Sequence, residues 1–160
     1  MNIIKKRIIF TITTVLLMLM SFGFSSQTAT VSGHLSKSLI AKTLETPVFN
    51  SMSYTDKSDA IRKSDHYIRK TAHFTEYAML GTSMYILLSA WFLKSRKKPY
   101  IFSALAALIY ASSDEIHQFF SEGRGPQVTD VLVDFSGCLT ALILIFLVQR
   151  FILKRKPVDS

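Results

Sequence analysis

Four apolar stretches, at 8–24, 71–93, 100–120 and 130–153, constrain this chain more than any other feature. About 20 apolar residues in a helix, rising roughly 1.5 Å each, cross the hydrocarbon core of a bilayer. The second and fourth stretches span comfortably and the first is short. The third is apolar only as far as Ser113, after which it reads Asp114-Glu115-Ile116-His117-Gln118, a run that no lipid-facing helix would carry. The fold expected is therefore all-α: an integral membrane bundle of about four transmembrane helices whose odd polar residues are held inside.

Composition agrees. The 160 residues are 49% hydrophobic with a mean hydropathy of +0.28 and a net charge of +8, and soluble domains of this size rarely combine such traits. Once the spans are subtracted, one loop alone is long enough to hold anything else, which excludes a separate soluble catalytic domain. Cys138 is the single cysteine and lies in an apolar run, so an internal disulfide and a cysteine-rich metal site are ruled out and a small packing residue is expected.

Basic residues near the span ends orient the chain, because Lys and Arg gather on the cytoplasmic side. Lys5, Lys6 and Arg7 precede the first span, Lys94, Arg96, Lys97 and Lys98 fill the short loop between the second and third, and Arg150, Lys154, Arg155 and Lys156 follow the fourth. All three place both termini inside. The long loop from Ser25 to Lys70 dissents with seven cations, but it also carries Glu45, Asp56, Asp59 and Asp65, and charge in a long loop weighs less. The resulting division is a first transmembrane helix at 1–24, an extracytoplasmic loop with short helices at 25–70, a three-helix membrane core at 71–153 and a basic cytoplasmic tail at 154–160. A cleaved signal peptide is the alternative for the first segment; its apolar run exceeds a signal core and Phe24-Ser25-Ser26-Gln27 is a poor cleavage site, so an uncleaved helix is preferred. Within the loop, Leu35, Leu39, Ile40 and Leu44 recur at helical spacing before Pro47, which predicts a short surface helix. From Ser58 to Lys70 the residues are polar and helix-compatible, so the second span is expected to project beyond the bilayer.

In this topology three span ends meet at the outer face, each bringing polar groups. The second contributes His73 and Glu76, the third Asp114, Glu115, His117 and Gln118, and the fourth Asp130 and Asp134, with Arg124 in the Gly-Arg-Gly-Pro turn before it. Helices pack in lipid through small residues three and four apart. The stripe Ser103, Ala107, Ala111 continues into Asp114, Glu115 and Gln118, and Asp130 and Asp134 continue into Gly137, Cys138 and Ala141, so the acids are predicted to face the bundle interior. Buried carboxylates need counter-charges, and Arg124, Arg69 and Lys70 are nearest in sequence. Tyr67, Phe74, Tyr77, Phe119 and Phe120 are explained by an interfacial aromatic belt.

Plainer readings compete. Asp130 follows Thr129 at a helix start, where an acid complements free backbone N–H groups. His73 could be an interfacial histidine bonded to Glu76, and Arg124 an anchor for lipid phosphate. Asp114-Glu115 resists such explanation, lying roughly 9 Å of helix in from the end.

Three blocks resemble the VanZ-like family of bacterial membrane proteins, named for an accessory protein of glycopeptide-resistance clusters that raises teicoplanin tolerance. They are Phe24-Ser25-Ser26-Gln27; Arg69-Lys70-Thr71-Ala72-His73-Phe74-Thr75-Glu76-Tyr77 with Gly81; and Asp114-Glu115-Ile116-His117-Gln118-Phe119-Phe120, then Gly123-Arg124, then Asp130-Val131-Leu132-Val133-Asp134 and Gly137. The resemblance runs over nearly the whole chain, makes 71–153 a VanZ-like core and implies a cell-envelope protein of a Gram-positive-like bacterium; it supplies no reaction. An envelope protein that lowers glycopeptide susceptibility is the first expectation. The second is a membrane hydrolase or transferase acting on a lipid or cell-wall intermediate, and an ion-coupled permease ranks third, because the inner halves of the spans are apolar. For the enzyme, His73, Glu76, Asp114 and Glu115 are the catalytic candidates, with Gln118, Arg124, Asp130 and Asp134 as ligand-binding residues. A hard divalent cation would suit the carboxylates, but His73-x-x-Glu76 matches no established metal motif, so metal and cofactor stay open. Expected partners are membrane lipid and a lipoglycopeptide antibiotic or cell-wall precursor, with no nucleic acid.

Overall fold

The computed structural model describes residues 2–25, 38, 40–42, 45, 51–119 and 128–151. The described residues form helices joined by turns: α1 (Ile3–Ser25), α2 (Tyr54–Trp91), α3 (Lys98–Phe119) and α4 (Val128–Phe151). The surface helix expected around Leu35 to Leu44 falls largely outside the described residues, as do Arg124, Phe120 and the basic tail.

The helices run alternately up and down, and α2 packs against all three others. At 38 residues, α2 is roughly 57 Å long, well beyond a bilayer core, while α1, α3 and α4 at 22 to 24 residues are near that thickness. Helix α2 begins at Tyr54, inside the segment assigned to the extracytoplasmic loop. No proline or glycine breaks the polar run from Tyr54 to Lys70, and it continues directly into the apolar half. Among the described residues, one helix, Val128–Phe151, is long and apolar enough to cross a membrane by length and composition. Helix α2 is diluted by its polar N-terminal extension, most of it exposed, and α3 by Asp114, Glu115 and Gln118, which the bundle encloses.

Small residues bring the helices together. Gly137 of α4 abuts the backbone carbonyl of Phe74 on α2, leaving no room for a Cβ, and a Cβ on Gly81 would lie 2.6 Å from the Cys138 Sγ. This close seam fits helix association through small residues in an apolar medium. Cys138 is fully buried within it, as a packing residue should be. The stripe on α3 is also enclosed: Ser103, Ala107 and Ala111 are each 0% exposed.

The distribution of polarity is inverted relative to a soluble domain. Buried inside are Thr14, Ser83, Asp114, Glu115, Gln118 and Asp134, while Ile8, Ile12 and Leu16 of α1, Ile101 and Ile109 of α3, and Ile143 and Leu144 of α4 are exposed. Two hydroxyl bonds bridge helices, Thr14 with Ser83 at 2.8 Å and Tyr110 donating to the Met18 carbonyl at 2.6 Å. At the other end of the bundle the Arg7 guanidinium donates twice to the Ala90 carbonyl, at 3.1 and 3.2 Å, and lies 4.4 Å from the Trp91 ring centre. That closes the C-terminus of α2, where backbone carbonyls lack helical partners.

Candidate functional site

A polar chamber forms where the C-terminal half of α3, the N-terminal half of α4 and the middle of α2 converge beside the end of α1. Helical periodicity on α3 turns Asp114, Glu115 and Gln118 inward, and they are 2%, 8% and 6% exposed; Asp134 of α4 is 4% exposed. The Gln118 amide donates to Asp114 Oδ2 at 3.1 Å, which orients one carboxylate oxygen. His73 presents Nδ1 at 3.7 Å from Asp134 Oδ1, within ion-pair range but long for a hydrogen bond. Glu76 lies against Ser21 of α1 and within the electrostatic field of Asp114.

Seven of the eight sequence-derived candidates lie within the described residues. His73, Glu76, Asp114, Glu115, Gln118 and Asp134 share one chamber, and Asp134 feels the charges of Asp114, Asp130, Glu76 and Glu115. Asp130 itself lies at the rim. Its side chain is 37% exposed and paired with Lys70 at 3.3 Å, because the first turn of α4 lies beyond the close seam at Gly137 and stays open to solvent. Lys70 thus serves as the counter-charge expected of it, but at the rim. Arg69 does not reach the chamber acids; it pairs with Asp65 one turn earlier on its own helix, at 3.5 Å. Helical spacing favours that contact, since residues four apart are neighbours. His73, for which a bond to Glu76 was the plainer alternative, approaches Asp134 across the seam. His117 stacks on Phe22 of α1, with ring centres 4.1 Å apart, and so lies beside α1. Arg124 lies outside the described residues.

Tyr77 requires a correction. Assigned to an interfacial belt, it is instead 0% exposed, with Asp114, Asp134, Glu76 and Tyr110 around it, and its hydroxyl has no hydrogen-bond partner among the described residues. A buried hydroxyl ordinarily finds a partner, and leaving one unmade costs on the order of 1–3 kcal/mol. Asp65, 4% exposed, was likewise read as loop charge. Both were discoverable, because Asp65, Arg69, His73 and Tyr77 recur every four residues and continue into Gly81, a single helical stripe across the boundary drawn at Lys70.

The chamber sets buried carboxylates, the Tyr77 hydroxyl and an imidazole 3.7 Å from Asp134 side by side, groups that can hold or move a proton. Among the described residues no group of three or more His, Cys, Asp and Glu side chains could hold a metal ion.

Comparison with known proteins gives one result. No curated protein and no solved structure matches the chain. The VanZ/LLP1 family matches it over residues 10–149, from the first turns of α1 almost to the end of α4 and across every chamber residue. The chain therefore belongs to the VanZ/LLP1 family, as a membrane-associated VanZ-like protein.

Proposed function

We propose that this protein is a multi-pass component of the bacterial cell membrane that lowers susceptibility to lipid-anchored glycopeptides such as teicoplanin. In this reading α1 to α4 all span, both termini are cytoplasmic and the chamber opens toward the outer leaflet. The segment 25–70 is extracytoplasmic, although its last part is the polar extension of α2, and 154–160 is a cytoplasmic tail. What supports four spans is the inverted polarity: a water-exposed bundle would not display Ile8, Ile12, Ile101, Ile109 and Ile143 while enclosing Asp114 and Asp134.

The observation that carries the functional reading is the convergence of three buried carboxylates, Asp114, Glu115 and Asp134, with the Tyr77 hydroxyl and His73 from three helices at one end. Enclosed polar groups of this kind cost stability wherever they are kept, so a bound polar group is the natural return. The chamber would hold an amine or hydroxyl group of the lipoglycopeptide, or of the cell-wall precursor that the drug sequesters. The close approach of His73 to Asp134 favours a second reading, a membrane hydrolase or transferase. There Asp134 orients the imidazole, His73 or Glu115 moves the proton, and Asp114 and Glu76 position the substrate.

The test is teicoplanin and vancomycin susceptibility of a sensitive bacterium expressing the wild type or Glu115→Gln at matched membrane levels. Tolerance that the variant loses is the expected result. No shift with the wild type overturns the antibiotic role. Turnover of a cell-wall lipid by purified protein, abolished in the same variant, would select the enzyme over the binding protein.

A further inference from the structure

The opposite end of the bundle holds a second site. Between the end of α2, the short connection to α3 and the last turns of α4 lies a cleft of about 630 Å³, within the ~300–1,000 Å³ typical of small-molecule sites. Arg96 and Lys97 border it from the connection and Arg150 from α4. No carboxylate lines it, and none of these three cations forms a salt bridge among the described residues. The chamber end differs: there Arg69 and Lys70 are matched to Asp65 and Asp130.

The wall behind the cations is polar and held in place. The Gln149 amide donates to the Tyr85 hydroxyl at 2.8 Å and accepts from the Tyr100 hydroxyl at 3.1 Å, so three side chains from three helices form one hydrogen-bonded chain. The flank is apolar. Phe146 lines the cleft, is 46% exposed and lies edge-on to Tyr100 at 6.3 Å, so the cleft opens sideways onto the apolar outer surface of α4. Arg150 sits 6.0 Å from the Phe146 ring centre and 5.9 Å from that of Phe151, which keeps its charge at this mouth.

Unmatched cations, a fixed hydrogen-bonding wall and an apolar side exit together describe a receptor for an amphiphile with an anionic head. We infer that this cleft binds the phosphodiester headgroup of an anionic phospholipid, its acyl chains running out past Phe146. Arg96 and Arg150 offer forked donors matched to phosphate oxygens, and Lys97 adds a point charge. Basic pockets between helices at the cytoplasmic side are known to take such headgroups. A free phosphate would satisfy the cations but would leave the apolar exit without purpose. The assignment rests on the membrane reading above and is independent of what the chamber does.

Native mass spectrometry of delipidated, detergent-solubilised full-length protein tests it, by titration with phosphatidylglycerol or phosphatidylcholine. Wild type should retain phosphatidylglycerol in preference. Each basic residue beside an anionic headgroup contributes roughly fivefold, so R96Q/K97Q/R150Q should cut that preference by about a hundredfold. The variant K5Q/K6Q, which removes one exposed and one half-buried charge at the same end but outside the cleft, should stay within twofold of wild type. Gln149→Glu, which leaves the cations in place and puts a negative charge in the wall, should weaken binding at least fivefold and carries the test if the triple variant does not fold. Equal retention of the two lipids, an unchanged preference in the triple variant, or an equal loss in K5Q/K6Q would each overturn the site. So would displacement by millimolar inorganic phosphate, which would make a free anion the ligand. Glycopeptide tolerance assays read the chamber, so either proposal can fail alone.

Discussion

The two ends of this bundle solve the problem of enclosed polarity in opposite ways. At the basic end the polar groups are matched: Arg7 caps the Ala90 carbonyl and Tyr85, Gln149 and Tyr100 bond one another, while the remaining cations sit in an open cleft. At the chamber end carboxylates are gathered in the interior and the Tyr77 hydroxyl has no partner among the described residues. The Arg7 cap and the Tyr85–Gln149–Tyr100 chain add stability, whereas the Tyr77 hydroxyl subtracts from it. Sites that bind or react commonly sit where local rules are broken in this way. The chamber and the cleft are thus two separate polar regions, one enclosed between helices and one open at the surface.

Five substitutions sharpen or break that contrast. The largest effect is expected for Gly137→Ala, whose new methyl meets the Phe74 carbonyl and forces α4 from α2, at a cost of about 2–4 kcal/mol. Thermal unfolding in detergent should show a lower midpoint, with Gly81→Ala milder because its first neighbour is the Cys138 side chain, and Gly23→Ala harmless because nothing among the described residues lies within 4 Å. An undisturbed Gly137→Ala would mean that the chamber is not clamped by this seam. Next comes Arg7→Gln, which removes two hydrogen bonds to Ala90 and the contact with Trp91, and should cost about 1–2 kcal/mol with a shift in Trp91 fluorescence. The smallest change has the opposite sign: Tyr77→Phe should raise stability by up to about 1 kcal/mol while impairing teicoplanin tolerance. A loss of stability from Tyr77→Phe would show that the hydroxyl is satisfied and would end the contrast between the two ends.

Legibility followed the range of the interactions involved. Local periodicity sufficed for the helices, for the small-residue stripe on α3 and for the inward aim of Asp114, Glu115, Gln118 and Asp134, because 3.6 residues per turn decides which side chains share a face. It misjudged Tyr77 and Asp65 because the stripe they occupy was cut at the expected membrane boundary, although the α2 helix runs through it without a break. Asp130 was placed with the interior acids by the same rule, and only the distance from the Gly137 seam leaves it at the rim.

From sequence alone came the helical class, the polar blocks and the family they identify, all properties of residues close together in the chain or of their order along it. Tertiary structure alone decided that His73 meets Asp134 rather than Glu76, that Arg69 is held by Asp65, and that Tyr77 lies at the centre of the chamber. It also decided that cations from a loop and a distant helix end share one cleft. The reason is geometric: a helix determines which residues point the same way, whereas the rotation and depth at which helices meet depend on where glycines let backbones touch.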